Sequence, residues 1–442
     1  MDNRNKEIVG FSRAMFLQCI ILFLGICGGV WINKYIYILT AAFTMLICFT
    51  RNINNIYYHL LFSISFTVIY KLDPSATSLF AYIMIAVGII LMVRIRTFNG
   101  IRLLVICFFS VYLLMGMGSN YTTALKMVMG IILFYSFVNV IKPEDFKNHI
   151  MAFSLGVIGS SVIGTFRDSL PQLSAYFKTE YTVYDRAYVA HRFTGLYYDP
   201  NFYSMSALFA IVLCVMLLMN KTGNKVFIWS LLVSLMVFGF QSYSKMFLLS
   251  VTIIGVISII YMMRSLKMII VALISLLTLG AGIITWLKQI GYMDIMFSRI
   301  FEGDISTGRF GIWESYLNYL DGSPWTLCFG DGIGAKYLSV GGPHNTYIES
   351  IFFIGILGSI IYLFMIISIF KFKKYNSEKN IMNYLPLFVF LVTIGVLGCF
   401  TINELFFYCM LIWLGLNINV VGRCGYVKER MVKNVQCNST NL

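Results

Sequence analysis

Apolar runs of about 18 residues or more recur from one end of this chain to the other, and each is long enough to cross a hydrocarbon layer as a helix. That repetition leaves few folds open. A soluble domain carries about a quarter charged residues. Here 12% of 442 residues are charged and 59% are hydrophobic, with a mean hydropathy of +0.80. The runs are continuous rather than alternating, which excludes an outer-membrane barrel. The expected fold is an all-α polytopic membrane protein of about 12 to 14 transmembrane helices. Residues 1–442 would form a single integral membrane domain.

The spans are expected at 15–31, 35–50, 56–70, 78–93, 103–119, 122–141, 150–166, 202–220, 226–240, 246–262, 268–287, 346–370, 381–401 and 404–421. The first is long enough to persist as a span rather than act as a cleaved leader. Connections holding Arg4, Arg13, Arg51, Arg94, Arg102, Lys142, Lys147, Lys221, Arg264, Lys373 and Arg430 alternate with connections nearly free of cations. Cations flank spans on the cytoplasmic side, so both termini are expected there, and 422–442 reads as a short basic cytoplasmic tail. The net charge of +14 follows from those flanks and does not call for a nucleic-acid partner. The ten cysteines sit mostly inside apolar runs, and no CxxC or Cys/His cluster occurs. No metal site and no external disulfide framework is expected.

Two connections are long, 167–201 and 288–345, and both fall on the external side. Long loops with their own aromatics usually carry function. Within and beside them lie cations that work against the orientation rule: Arg186, Arg192, Lys245, Arg299 and Arg309. One reading is loop ion pairing with Asp185, Asp294, Glu302 and Asp304. The other is a bound anion.

The local patterns sharpen the choice. In 192–201, Asp199 suits a helix N-cap and Pro200 the first turn, with Tyr198 and Asn201 on either side. Arg192 near the free N–H groups of that helix start would suit a phosphate or pyrophosphate. In 306–314, Ser306 or Thr307 can cap a short amphipathic helix bearing Phe310, Trp313, Tyr316 and Leu317, with Arg309 in its first turn. Pro343-His344-Asn345-Thr346-Tyr347-Ile348-Glu349 closes the second loop and opens an apolar helix. Asn345 and Glu349 share a face there, and His344 stands at its mouth, able to accept a proton from a hydroxyl near neutral pH. Lys245 opens another inward-running helix, as a phosphate contact or as a snorkelling anchor. Each pattern alone is also compatible with a structural role. Within the spans the ionisable groups are few (His59, Lys126, Glu349, Glu404). The relay of carboxylates usual in an ion-coupled transporter is not visible.

Taken in order, Arg192, Gly195 and Pro200-Asn201, the Ser244-Lys245 turn, Thr307-Gly308-Arg309 with Trp313, and Pro343-His344-Asn345 followed by Gly355 and Gly358 resemble the O-antigen polymerase and O-antigen ligase family of bacterial inner-membrane enzymes. The resemblance covers roughly 190–370 by motif and the whole chain by topology. It implies an undecaprenyl-pyrophosphate-linked oligosaccharide as donor, an acceptor sugar hydroxyl, reaction at the periplasmic face, and no cofactor or metal. Arg192 and Arg309 would grip the pyrophosphate and His344 would serve as base or orient the acceptor. Asn201, Lys245, Trp313, Asn345, Glu349 and Tyr198 are the candidate substrate-binding side chains around them. Many relatives have arginine where this chain has Lys245. Membrane lipids and a chain-length regulator are the further partners implied. The wording of the two motifs looks more like a polymerase than a ligase, and a flippase of the same lipid-linked sugar is the rival from another class.

Overall fold

The computed structural model describes residues 7–418 except 9–10, 50–52, 95–99, 117–119, 178–181, 185–188, 263–284, 286–287, 290, 303–307, 372–380 and 403. The expected span 268–287 therefore falls almost wholly outside the described residues, as does the expected tail 422–442. In the described residues the chain is helical. The helices are α1 (Arg13–Trp31), α2 (Ile36–Cys48), α3 (Ile53–Ser63), α4 (Leu79–Arg94), α5 (Gly100–Met115), α6 (Tyr121–Val140), α7 (Phe146–Gly164), α8 (Pro171–Ser174), α9 (Pro200–Met219), α10 (Lys225–Gln241), α11 (Lys245–Met262), α12 (Tyr292–Phe297), α13 (Arg309–Asp321), α14 (Pro324–Phe329), α15 (Thr346–Phe370), α16 (Leu385–Ile394) and α17 (Leu405–Asn417). Four of them, α1, α6, α9 and α15, are long and apolar enough to cross a membrane, and shorter apolar helices accompany them.

Two antiparallel ribbons interrupt the helical pattern: Glu7–Ile8 with Phe11–Ser12, and Thr182–Tyr184 with Val189–His191. An all-helical expectation has no place for them. They are too short to alter the architecture.

The core is built on α7, α9 and α17. α9 packs on α7, α10, α11, α16 and α17, while α17 also packs on α6. Nearly every side chain of α9 and α17 is buried, which is the pattern of a helix surrounded by other helices. The peripheral helices behave differently. Leu24, Leu39, Val93, Leu104, Val233 and Ile360 are each more than half exposed. An apolar belt of that extent needs a non-aqueous surrounding.

The apolar runs locate the helices but not their breaks. The expected span 56–70 ends its α-helix at Ser63 and continues as a tight 3-10 turn over Ile64–Phe66. The expected span 381–401 is helical only to Ile394 in α16. The largest correction is at 346–370, where α15 is two helices meeting at Gly355, with φ 67° and ψ 178°. Among its described residues the long connection 288–345 holds three helical pieces rather than one: α12 continued by a π-helical stretch over Ser298–Glu302, then α13, then α14.

The break at Gly355 frees carbonyls that the packing then satisfies. Asp331 N–H donates to Phe352 O at 2.8 Å and Gly332 N–H to Phe353 O at 2.9 Å. The Tyr112 hydroxyl of α5 lies 2.7 Å from Ile354 O and 3.0 Å from Phe329 O. Asp331 is held in turn by Thr326 and Tyr319, whose hydroxyls each donate to its carboxylate at 2.7 Å. Buried irregular backbone is tolerated on this condition, that each polar group finds a partner.

Candidate functional site

α9 begins where it does because Asp199 precedes Pro200. Proline has no N–H to leave unsatisfied in the first turn, and Asp199 accepts from Asn201 N–H at 2.6 Å. With the cap supplied by Asp199, the Asn201 side chain is left for other partners. Its Oδ1 accepts from Arg192 Nη2 at 3.1 Å and from Ser244 Oγ at 3.1 Å. Arg192 Nε donates to Ser242 O at 2.9 Å. The arginine is thereby fixed between the start of α9 and the α10–α11 turn. Lys245 opens α11, half-buried, directly after Ser244.

Two more guanidinium groups reach the same place. Arg299 donates to the carbonyl of Tyr243, a residue held at φ 46° in that turn. Partial burial lowers the Arg299 pKa, the Tyr292 phenol opposes this, and the charge of Arg309 lowers it further. Arg309 opens α13 behind Gly308, whose φ of 79° suits glycine. The N-cap position of α13 is Gly308, which has no side chain to cap with, and the expected cap residues Ser306 and Thr307 lie outside the described residues. Burial lowers Arg309 as well, with the Asp199 carboxylate opposing it. Both guanidinium groups stay charged at neutral pH.

His344 completes the cluster. It has φ 47°, the left-handed region that a non-glycine residue enters only where its surroundings hold it. Its side chain is open to solvent on one side. Loss of hydration on the other side pulls its pKa below the ordinary histidine value, Arg309 lowers it further, and Asp199 pulls upward. The imidazole is therefore neutral near pH 7 and free to accept a proton. The Asp199 carboxylate acts on both Arg309 and His344, and Trp313 of α13 bonds Pro343 beside His344, which places the starts of α9, α13 and α15 near one another.

α13 holds the loop before His344. Trp313 Nε1 donates to Pro343 O at 2.8 Å, and the Tyr316 hydroxyl donates to Gly341 O at 2.9 Å and accepts from Leu338 N at 3.2 Å. Trp313 thus spends its N–H on the backbone. Its ring stays half-exposed beside Phe310 at 5.4 Å.

The other candidate residues are placed differently. Asn345 caps α15, its Oδ1 accepting from Tyr347 N at 3.0 Å and Ile348 N at 3.2 Å. Glu349 is 1% exposed, and its two oxygens accept from the Tyr337 hydroxyl at 2.5 Å and Phe400 N at 2.9 Å. It fastens α15 to the segment between α16 and α17. Tyr198 points away, with its hydroxyl 2.6 Å from Lys71 Nζ. Arg186 and Thr307 lie outside the described residues.

From the foot of this cluster an apolar groove of about 600 Å³ runs between α15, α16 and α17. Thr346 and Tyr347 form its upper end, and Lys371, Asn383 and Asn417 its lower end. Between them the walls are mostly Ile, Leu and Phe side chains, with Ser350, Ser359, Tyr362 and Cys409 among them.

Sequence reasoning undervalued Arg299, because acidic residues flank it, and missed Arg167 altogether. Arg167 follows an apolar run on the side expected to be external, so the rule that singled out Arg192 also reached it. Among the described residues, no three His, Cys, Asp or Glu side chains converge. Comparison with family models, with curated proteins and with solved structures finds no match for this chain.

Proposed function

We propose that this protein is a polysaccharide polymerase of the O-antigen type, acting in the bacterial inner membrane. In this reading the chain crosses the membrane about 12 to 14 times, with both termini cytoplasmic and the cluster of α9, α13 and α15 starts on the periplasmic side. Its substrates are oligosaccharide repeat units carried on undecaprenyl pyrophosphate.

The observation that carries the reading is the meeting of three arginines and a neutral histidine at the head of a lateral apolar groove. The arginines and the α9 start suit a pyrophosphate. The groove suits the carrier's hydrocarbon tail, which enters sideways from the bilayer.

The chemistry is one displacement. The acceptor hydroxyl oxygen bonds to the anomeric carbon, and the bond from that carbon to the pyrophosphate oxygen breaks. The hydroxyl proton passes to the His344 imidazole. Arg192, Arg299 and Arg309 stabilise the charge that grows on the departing pyrophosphate, fixed in place before the reaction begins. No cofactor takes part, and the arginines supply the charge neutralisation that a divalent ion supplies elsewhere.

The test is purified protein with a lipid-pyrophosphate-linked repeat unit in the presence of chelator, followed by gel or mass analysis of the glycan. A ladder of multiples is the expected result. Transfer only after addition of a lipid A core would make the protein a ligase. Movement of the lipid across a liposome bilayer with no new glycosidic bond would make it a flippase and remove the catalytic roles assigned here.

A further inference from the structure

A second cleft, of about 390 Å³, opens beside Arg192. Arg167, Asp168, His191, Arg192, Gln241 and Tyr243 are among its walls. It shares no described lining residue with the apolar groove. Its construction is specific. Arg167 Nη1 donates to Thr194 Oγ1 at 2.8 Å, and its guanidinium lies 4.9 Å from the Phe177 ring centroid. Phe193 N–H donates to Gln241 O at 2.9 Å, which ties one wall to the other.

The cleft is rich in donors: two guanidinium groups, an imidazole and an amide. The one carboxylate among its described residues, Asp168, meets Arg167 Nε at 3.3 Å but is 85% exposed, whereas the Arg167 side chain is 13% exposed. The negative charge therefore sits in solvent and the positive charge faces the cleft. A volume in this range holds a monosaccharide.

We propose that this cleft binds an oxyanion carried by the glycan itself, the carboxylate of an acidic sugar unit, with Arg167 as its principal ligand. A planar guanidinium fork matches a carboxylate's two oxygens. A diphosphate tethered to a lipid needs the groove at hand, and the cleft shares no described lining residue with the groove. A glycan leaving the pyrophosphate past Arg192 reaches the cleft directly. The glycan as the source of the oxyanion rests on the polymerase reading, whereas the anion-binding chemistry stands apart from it.

The experiment uses the full chain in nanodiscs, with free glucuronate as probe, glucose as neutral control and saturation-transfer NMR as readout. Glucuronate should bind with a dissociation constant on the order of millimolar, and glucose should give no transfer. Arg167→Gln should weaken glucuronate binding about tenfold, and Arg167→Lys, which keeps the charge but not the fork, should recover only part of it. Equimolar inorganic pyrophosphate should leave the signal unchanged. Equal transfer to glucose, or an unchanged constant in a folded Arg167→Gln, would overturn the proposal. Displacement by pyrophosphate would overturn it too and assign the cleft to the diphosphate. If Arg167→Gln fails to fold, the glucose comparison and the pyrophosphate competition on the unaltered protein still decide. Glucuronate binding without any glycan ladder would remove the polymerase reading and keep the anion site.

Discussion

α9 and α15 both begin at the site with an Asx cap, and they are built in opposite ways. α9 is unbroken and enclosed on nearly every side. Its cap is Asp199, and the next polar residue, Asn201, is released to hold Arg192 and Ser244. α15 is broken at Gly355, lines a groove on one flank, and spends Asn345 on its own cap. The first helix is a fixed post for the Arg192 side chain. The second presents a strained histidine on a short half-helix whose position depends on distant partners. If the site grips a charged leaving group and admits a bulky acceptor, as proposed above, it gains from one rigid side and one adjustable side.

Several substitutions would break or sharpen that contrast. The largest effect is expected on the rigid side. Arg309→Ala or Arg192→Ala should reduce glycan elongation by about a thousandfold while the protein level in the membrane stays normal. A normal polymer from either variant would end the pyrophosphate assignment. His344→Gln should cost about a hundredfold and abolish the acid limb of the pH profile. In the unaltered protein that limb should lie below the ordinary histidine value, because lost hydration and Arg309 both lower His344. Asp199→Asn keeps a cap of similar strength but removes the carboxylate that favours the imidazolium, so the limb should move to still lower pH. A shift upward would mean that His344 is not the titrating group.

The remaining effects, at the break of α15 and in the brace before it, are smaller. Gly355→Ala forces a Cβ into the left-handed region at φ 67°, against the backbone of Cys328 and Phe329. A loss of about 2 kcal/mol is expected, read as a lower thermal midpoint, and an unchanged midpoint would mean that α15 straightens without penalty. Trp313→Phe removes the hydrogen bond to Pro343 and should cost about 1 kcal/mol. It should be seen chiefly as a higher KM with kcat preserved. If kcat alone falls, Trp313 has a closer role than bracing the loop.

The sequence made the helices legible because each apolar run is self-contained, and most boundaries agree to a few residues. Their interruptions were not legible. Gly355 reads as one glycine among several, and what breaks the helix there is the backbone of Asp331 and Gly332 and the hydroxyl of Tyr112. The same holds for the site. Asp199-Pro200 announces a helix start within a few residues, and Asn345 announces another. That Arg192 rests on Ser242 depends on a turn some fifty residues away. Arg299 looked neutralised by its sequence neighbours, yet it bonds to Tyr243 and feels Arg309. Glu349 looked available on its helix face, and tertiary packing on Tyr337 and Phe400 consumed it.

The outer half of α15, Thr346–Ile354, is about two and a half turns long, too short to persist alone. Its last carbonyls are bound by the amides of Asp331 and Gly332. The loop after α14 and the half-helix that follows His344 therefore open and close together, as one cooperative unit. The amide hydrogens of Asp331 and Gly332 should exchange with solvent at the rate of those in the half-helix, rather than at the rate of a loop. A substrate that orders either segment would then slow exchange in both.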